Sequence, residues 1–279
     1  MMELDLDHLR GWIGHEDQNS EMLTQTSVDR FNATFNRPSS RDEAAHLPLL
    51  LHFCLAQPIV PTAELGTDGH PARGGFLPPV PLPRRMWAAG AIDFLAPLRI
   101  GEIVTRRSVV EDVTVKHGRT GTLCFVTVRH NIESDGRPVL TERQDIVYRD
   151  AAAPGTTARS MEKAPVGMRS AQVAATAPFL FRYSALTFNS HRIHYDAPYS
   201  SEEEHYPGLV VHGPLQATML CQYAADWHGA APKSFRFRSL APVFGPGTFT
   251  VNASSGGNTM TLWTAQDNGP MGMEGTAEW

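Results

Sequence analysis

The sequence is short of cysteine, of lysine and of long apolar runs. Its three cysteines, Cys54, Cys124 and Cys221, are far apart and odd in number. No pair has zinc-ligand spacing, and each sits among apolar neighbours. They read as reduced core thiols in a cytoplasmic setting, not as a disulfide framework. The most apolar helical stretch, Leu47 to Leu55, falls far below the ~20 residues that a membrane span needs. The first ten residues, MMELDLDHLR, are acidic and lack the apolar centre of a secretory signal. These absences predict a soluble protein. Net charge is -5 and the pI is near 6.2, which excludes a broadly basic nucleic-acid binder. With 42% hydrophobic and 19% charged residues, the chain has the composition of a folded protein. Its 279 residues allow two units or one large one.

Two short pieces of sequence recur in the same order. His46-Leu47-Pro48-Leu49 opens the apolar run PLLLHFCLAQ, and His212-Gly213-Pro214-Leu215 opens PLQATMLCQYAADW. Proline is tolerated at the start of a helix, where its missing N–H would be unpaired anyway. Both runs therefore predict buried helices, the second ending at Gly229. Leu95-Ala96-Pro97-Leu98 likewise matches Leu240-Ala241-Pro242-Val243, and each precedes alternating strand residues, IVTRRSVV and FTVNAS. The helix pieces are 166 residues apart and the strand pieces 145, so the first half carries an extra 21 residues. Pro58 to Pro83, with 4 glycines and 7 prolines, accounts for them as an ordered loop. Leu123 to His130, Asp145 to Arg149, Thr259 to Ala265 and Met271 to Glu278 read as further antiparallel strands. The segment Ala151 to Pro178 reads as a connector. The expected fold class is α+β: one long central helix wrapped by an antiparallel sheet, twice over, a double hot dog. Its units are residues 1–150 and 179–279, with the connector at 151–178.

The densest chemistry lies in Phe181 to Gly213, which holds His191, His194, His205 and His212. Three readings compete. The histidines, with Asp196, could hold a metal, but there is no HExxH pattern and no cysteine pairing. They could be structural, above all His205 behind the acidic run Glu202-Glu203-Glu204. Or one of them does acid–base work, since neutral imidazole is well matched to proton transfer near pH 7. Asn189 lies five residues before His194, and its amide can hold a water while an imidazole takes the proton. Gly213 would present its N–H at the positive end of the long helix, a suitable place for a developing enolate oxygen. The first half has Leu47 at the matching place and nothing like Asn189 and His194 ahead of it. Only the second half is then catalytic.

The run YSALTFNSHRIHYD, followed by YPGLVVHGPL, resembles the fused hot-dog hydratases of the MaoC-like superfamily, the mesaconyl-C4-CoA and itaconyl-CoA hydratase group. The first half agrees in LGTDGHPARGGFLPPVPLPRRMWAAGAIDFLAPLRIGE and KHGRTGTLCFVTVRH. The resemblance implies reversible addition of water across the double bond of an enoyl thioester. The superfamily carries D-x-N-P-x-H, with the Asp and His as catalytic pair. Here those positions read Asn189-Ser190-His191-Arg192-Ile193-His194. The resemblance keeps the histidine as His194, puts Asn189 in place of the acid and leaves His191 as a reserve base or carboxylate contact. One histidine can serve both proton steps if addition is syn.

A dicarboxylic acyl group needs a cationic partner, and arginine offers a planar fork. Arg84 and Arg85 are candidates, as are Arg182 and Arg192 beside the histidine segment. Trp87, Tyr183, His191 and His212 join them as expected substrate contacts. Arg236 and Arg238, with Lys116 and Arg119, are candidates for the CoA phosphates. The chain has 21 arginines and 3 lysines, so most arginines are ordinary surface charge. The Gly/Pro loop is expected to cover the pocket. The expected reaction takes mesaconyl-C4-CoA or itaconyl-CoA to citramalyl-CoA and needs no metal or redox cofactor. CoA enters as part of the substrate, and the fused pair can act alone or as a homodimer. The alternatives are a hydratase or dehydratase for ordinary enoyl or 3-hydroxyacyl thioesters, a hot-dog thioesterase, and a non-catalytic acyl-CoA-binding protein.

Overall fold

The computed structural model describes residues 4–42, 46–118, 121–150 and 162–279. The first half holds α1 (Leu6–Arg10), β1 (Glu16–Met22), α2 (Gln25–Thr34), β2 (Arg84–Phe94), β3 (Ile103–Gly118), β4 (Gly121–Ser134) and β5 (Arg137–Arg149). The second holds β6 (Arg169–Ala174), α3 (Ala177–Leu186), β7 (Leu209–Val210), α4 (Gly213–His228), β8 (Ser234–Ser239), β9 (Phe244–Gly245), β10 (Thr248–Gly256), β11 (Thr259–Gln266) and β12 (Met271–Glu278). Ten of these strands form one antiparallel sheet in the order β1-β3-β4-β5-β2-β8-β12-β11-β10-β6. The two halves of that order mirror each other about the β2–β8 seam, where Ala89 to Asp93 pair with Arg238 to Ser234. Gly90 is needed there: a Cβ would lie 2.2 Å from Cζ of Phe237, which packs over it.

The expected strands form, and β4 shows why they were legible. From Gly121 to His130 its residues alternate between half-buried and buried, as a one-sided sheet requires. At the end of β4, Asp135 (φ 46°) and Gly136 (φ 74°) make the tight turn into β5. In the second half the predicted helix is α4. It buries Leu215, Ala217, Leu220, Cys221 and Ala224 and ends at Gly229, whose φ of 87° fits a glycine cap. Among the described residues, no helix is long and apolar enough to cross a membrane.

Two expectations fail. The first-half apolar run does not become a long helix; it makes a single 3₁₀ turn, Leu51–Cys54. Leu50 at φ 62° and Ala56 at φ 49° interrupt it on both sides, and Gln57 precedes a proline. Left-handed non-glycine residues cost roughly 1–2 kcal/mol each. Here burial of Leu50, Leu51 and Leu55 offsets that cost. The turn also sets buried His52 beside buried Glu142, with Nε2 3.3 Å from the carboxylate. The second failure is the connector. Residues 151–161 lie outside the described part, but Arg169–Ala174 is the edge strand β6 and α3 begins at Ala177. Its composition hid them, because an exposed edge strand needs little apolar side chain.

Candidate active site

The opening of α4 supplies donors. Gly213 and Pro214 lie at its first positions, and a helix leaves its first N–H groups without intrahelical partners. The missing side chain of Gly213 leaves room for Trp87 of β2; a Cβ there would sit 3.4 Å from the indole. Trp87 is held edge-on by Phe53 and Phe237. Its buried indole N–H has no hydrogen-bond partner. Residues from both halves therefore meet at the helix start.

His194 lies beside that start, in the 3₁₀ turn Arg192–His194. Its Nδ1 is 2.7 Å from the Val210 carbonyl. A carbonyl only accepts, so Nδ1 carries the hydrogen and Nε2 keeps its lone pair. The short β7–β9 ladder positions Val210, and His194 stacks on His212 with centroids 3.7 Å apart. His212 is fully buried and shares a 2.8 Å hydrogen bond with Ser184 through Nε2. Burial pushes His194 down to about 4, against the pull of the Val210 carbonyl. Burial and the neighbouring His194 and His191 hold His212 well below the ordinary histidine range. Both rings are neutral near pH 7, and His194 is poised to accept a proton.

The row continues into the first half. His191 packs edge-on to His194 at 5.3 Å, and the ring of His70 lies 4.0 Å from His191. Asp68 holds His70 twice, accepting its backbone N–H at 3.0 Å and its Nδ1–H at 2.9 Å. Burial pushes His70 down to about 4, with Arg85 in the same direction and Asp68 opposing. Burial, then His70 and His194, depresses His191 further. Asp68 and His70 were absent from the residues expected from sequence. The signal available was TDGH within the Gly/Pro loop, which nothing local ties to residue 191.

That loop is clamped onto the histidine segment. Ser190 Oγ donates to the Gly69 carbonyl. Arg192 donates its backbone N–H to Asp68 at 2.9 Å and its guanidinium to Thr67 at 3.1 Å. Gly69, at φ +85°, lies so close that a Cβ would be 1.9 Å from the Ser190 carbonyl oxygen. Asp68, His70 and His191 bring three potential ligand atoms within 4.8 Å of one another. Asp68 and His70 are already joined by the hydrogen bond through Nδ1.

The other expected residues divide. Asn189 accepts the His191 N–H through Oδ1 at 2.9 Å, so its carbonyl shapes the turn, while its NH₂ and a second Oδ1 lone pair remain for a ligand. Arg192 is engaged by Asp196 and lies over Tyr199. Arg84 is paired with Glu204 at 3.3 Å and covers Tyr206. Arg85 points to Tyr148 and lies within electrostatic reach of His70 and His191. Tyr183 is buried behind His212, ring centroids 5.0 Å apart. Arg182 lies elsewhere, exposed on α3 over a cleft that includes Phe35, Phe179 and Met219. Arg236 and Arg238 project from the outer face of β8, alternating with buried Phe235 and Phe237, and pair with Asp93 and Glu274. Lys116 packs over Phe125, and Arg119 lies outside the described residues.

The sequence profile of a family, Hydroxyacyl-thioester dehydratase type 2, matches residues 50–245. A mesaconyl-C(4)-CoA hydratase of Chloroflexus aurantiacus is 41% identical over 269 residues, covering 96% of each chain. Among solved structures, a MaoC-like dehydratase superposes with a TM-score of 0.70 at 15% identity, over 97% of this chain and 99% of that one. A Mycobacterium tuberculosis protein with a double hotdog fold superposes with a TM-score of 0.53 at 12% identity, over 95% and 96%.

Proposed function

The chain belongs to the hydroxyacyl-thioester dehydratase type 2 family, a double hot dog with hydro-lyase chemistry, and from that premise we propose that it hydrates mesaconyl-C4-CoA to citramalyl-CoA. The observation that carries the reading is His194, neutral, fixed with its Nε2 lone pair available, beside the N-terminus of α4. The thioester carbonyl lies at the Gly213 N–H, which makes the β-carbon electrophilic. His194 Nε2 takes a proton from water as the new C–O bond forms, and the π pair moves into an enolate on the thioester oxygen. The same imidazole returns the proton to the α-carbon. Water and protons balance without any other reactant. One such N–H donor contributes roughly 2.7–4 kcal/mol to a transition state.

In mesaconyl-C4-CoA the β-carbon also bears a carboxylate, which must therefore lie close to the attacking water. Arg85 suits it. It lies within electrostatic reach of His70 and His191, and among the described residues no carboxylate lies within ion-pair distance of it.

The test is loss of enoyl-thioester absorbance with mesaconyl-C4-CoA and with crotonyl-CoA, with itaconyl-CoA followed by mass spectrometry. Fast turnover of mesaconyl-C4-CoA is expected, and His194→Gln should lower kcat by about 10²–10⁴-fold. Arg85→Gln should raise KM for mesaconyl-C4-CoA by roughly 10–100-fold, matching a charge-assisted hydrogen bond of about 1.5–3 kcal/mol, and leave crotonyl-CoA little changed. A preference for crotonyl-CoA would move the enzyme to unbranched enoyl substrates. Release of free thiol without hydration would overturn the reading.

A further inference from the structure

Resting on that reading, we infer that the Asp68–His70 pair is a second catalytic element, which holds the attacking water against His194 from the other half of the molecule. Asp68 grips both the backbone N–H and the ring of His70. That grip puts the hydrogen on Nδ1 and leaves a lone pair on Nε2. His194 is in the same state by a different route, through the Val210 carbonyl. His191 packs against both rings, 4.0 Å from His70 and 5.3 Å from His194, and His70 lies within electrostatic reach of His194. Three imidazoles from two distant loops thus converge, and the two whose Nδ1 is engaged have Nε2 available as an acceptor.

A water molecule has two hydrogens to place, and this arrangement offers an acceptor for each. One O–H points to His194 Nε2, and its proton is the one that moves. The other points to His70 Nε2 and stays with the oxygen, becoming the hydroxyl hydrogen of the product. Positive charge grows on the water oxygen as the C–O bond forms. The imidazole of His70 disperses it, with the Asp68 carboxylate behind. Asn189 Oδ1 already accepts one hydrogen bond, from the His191 N–H. Asp68 acts through His70 and is a positioning residue.

The loop is built for that placement. From an otherwise exposed segment, the carbonyls of Thr67, Asp68 and Gly69 all accept hydrogen bonds from Ser190 and Arg192, which flank His191. The close approach of Gly69 to Ser190 leaves no room for a side chain. A loop that only covered a pocket would not need to be locked at three successive carbonyls, nor to seat an imidazole against His191.

The experiment uses the full-length protein and the mesaconyl-C4-CoA assay, with circular dichroism on every variant. His70→Gln is expected to lower kcat at least 100-fold with KM changed less than about threefold. Asp68→Asn is expected to lower kcat about 10-fold and to move the acid limb of kcat/KM to lower pH. The groups facing His70 are Asp68, His191, Arg85 and Arg73, and Asp68 alone holds its proton more tightly as an adjacent anion. A merely structural role for Asp68 would lower activity without moving that limb, and would overturn the assignment. Should His70→Gln fail to fold, Asp68→Asn and its pH profile decide. An active wild type, an inactive His194→Gln and a His70→Gln within threefold of wild type would overturn the pair and keep the hydratase. A wild type that turns over none of the three enoyl-CoA substrates overturns both. Loss of activity on chelation, restored by zinc, would show a cation held by these residues and overturn the hydrogen-bonding role.

Discussion

His194 and His70 each have Nδ1 hydrogen-bonded, one to a backbone carbonyl and one to a carboxylate, and burial sets the cost of charging either ring. The unfolded chain titrates its histidines near 6.5. In the folded site burial pushes both down to about 4. Each works as an acceptor only when neutral. Protonation therefore removes activity below the folded value, not below the ordinary one. The kcat/KM profile is expected to stay flat from pH 8 to about 5 and to fall as pH drops through about 4. A limb near 6.5 would mean that these rings are hydrated and not buried. His212 was expected to touch substrate. It instead lies fully buried beneath His194, stacked on that ring and hydrogen-bonded to Ser184.

At the scale of elements, the decisive piece is the loop ending at β2. Its sequence, crowded with glycine and proline, announces a loop, and the strand period that follows announces β2. Where the loop lands is not local information. Gly69 makes this testable. Alanine there meets both a left-handed backbone angle and the Ser190 carbonyl, so the loop must lift from the histidine segment. Gly69→Ala is expected to keep the sheet and the melting transition largely intact while lowering kcat at least 10-fold. Activity within twofold of wild type would show that the loop tolerates displacement. The first-half 3₁₀ turn carries the complementary lesson. Its apolar run, PLLLHFCLAQ, has the composition of a buried helix. The buried pairing of His52 with Glu142 and the packing of three leucines keep it a turn instead.

Across the whole molecule, two helix-and-sheet units share one sheet through the β2–β8 seam. That seam delivers Trp87 to Gly213, so each half contributes to one site. It also sorts the arginines. Residues of β8 alternate, and with Phe235 and Phe237 turned inward, Arg236 and Arg238 must face outward. Arg236 meets Asp93 across the seam with both side chains about half exposed. Exposed pairs of this kind contribute roughly 0–1 kcal/mol. Arg236→Ala is therefore expected to cost less than about 1 kcal/mol in denaturant unfolding and to leave KM for the acyl-CoA unchanged. A clear rise in KM would place a CoA phosphate on the outer face.

The sequence by itself determined what depends on near neighbours: the alternation that makes β4, the Pro and Gly that bound α4, and the histidine segment running into that helix. Each follows from a two- or four-residue period or from a backbone angle, and needs no distant partner. The tertiary structure alone decided which of many arginines are paired on the surface, that the first apolar run stops after one turn, and that Asp68 and His70 join His191. Ser190 and Gly69 are 121 residues apart, and their contact exists only because strand pairing across the two halves brings their loops together. Burial, which keeps the imidazoles neutral, arises from that same closure and is not a property of any local stretch.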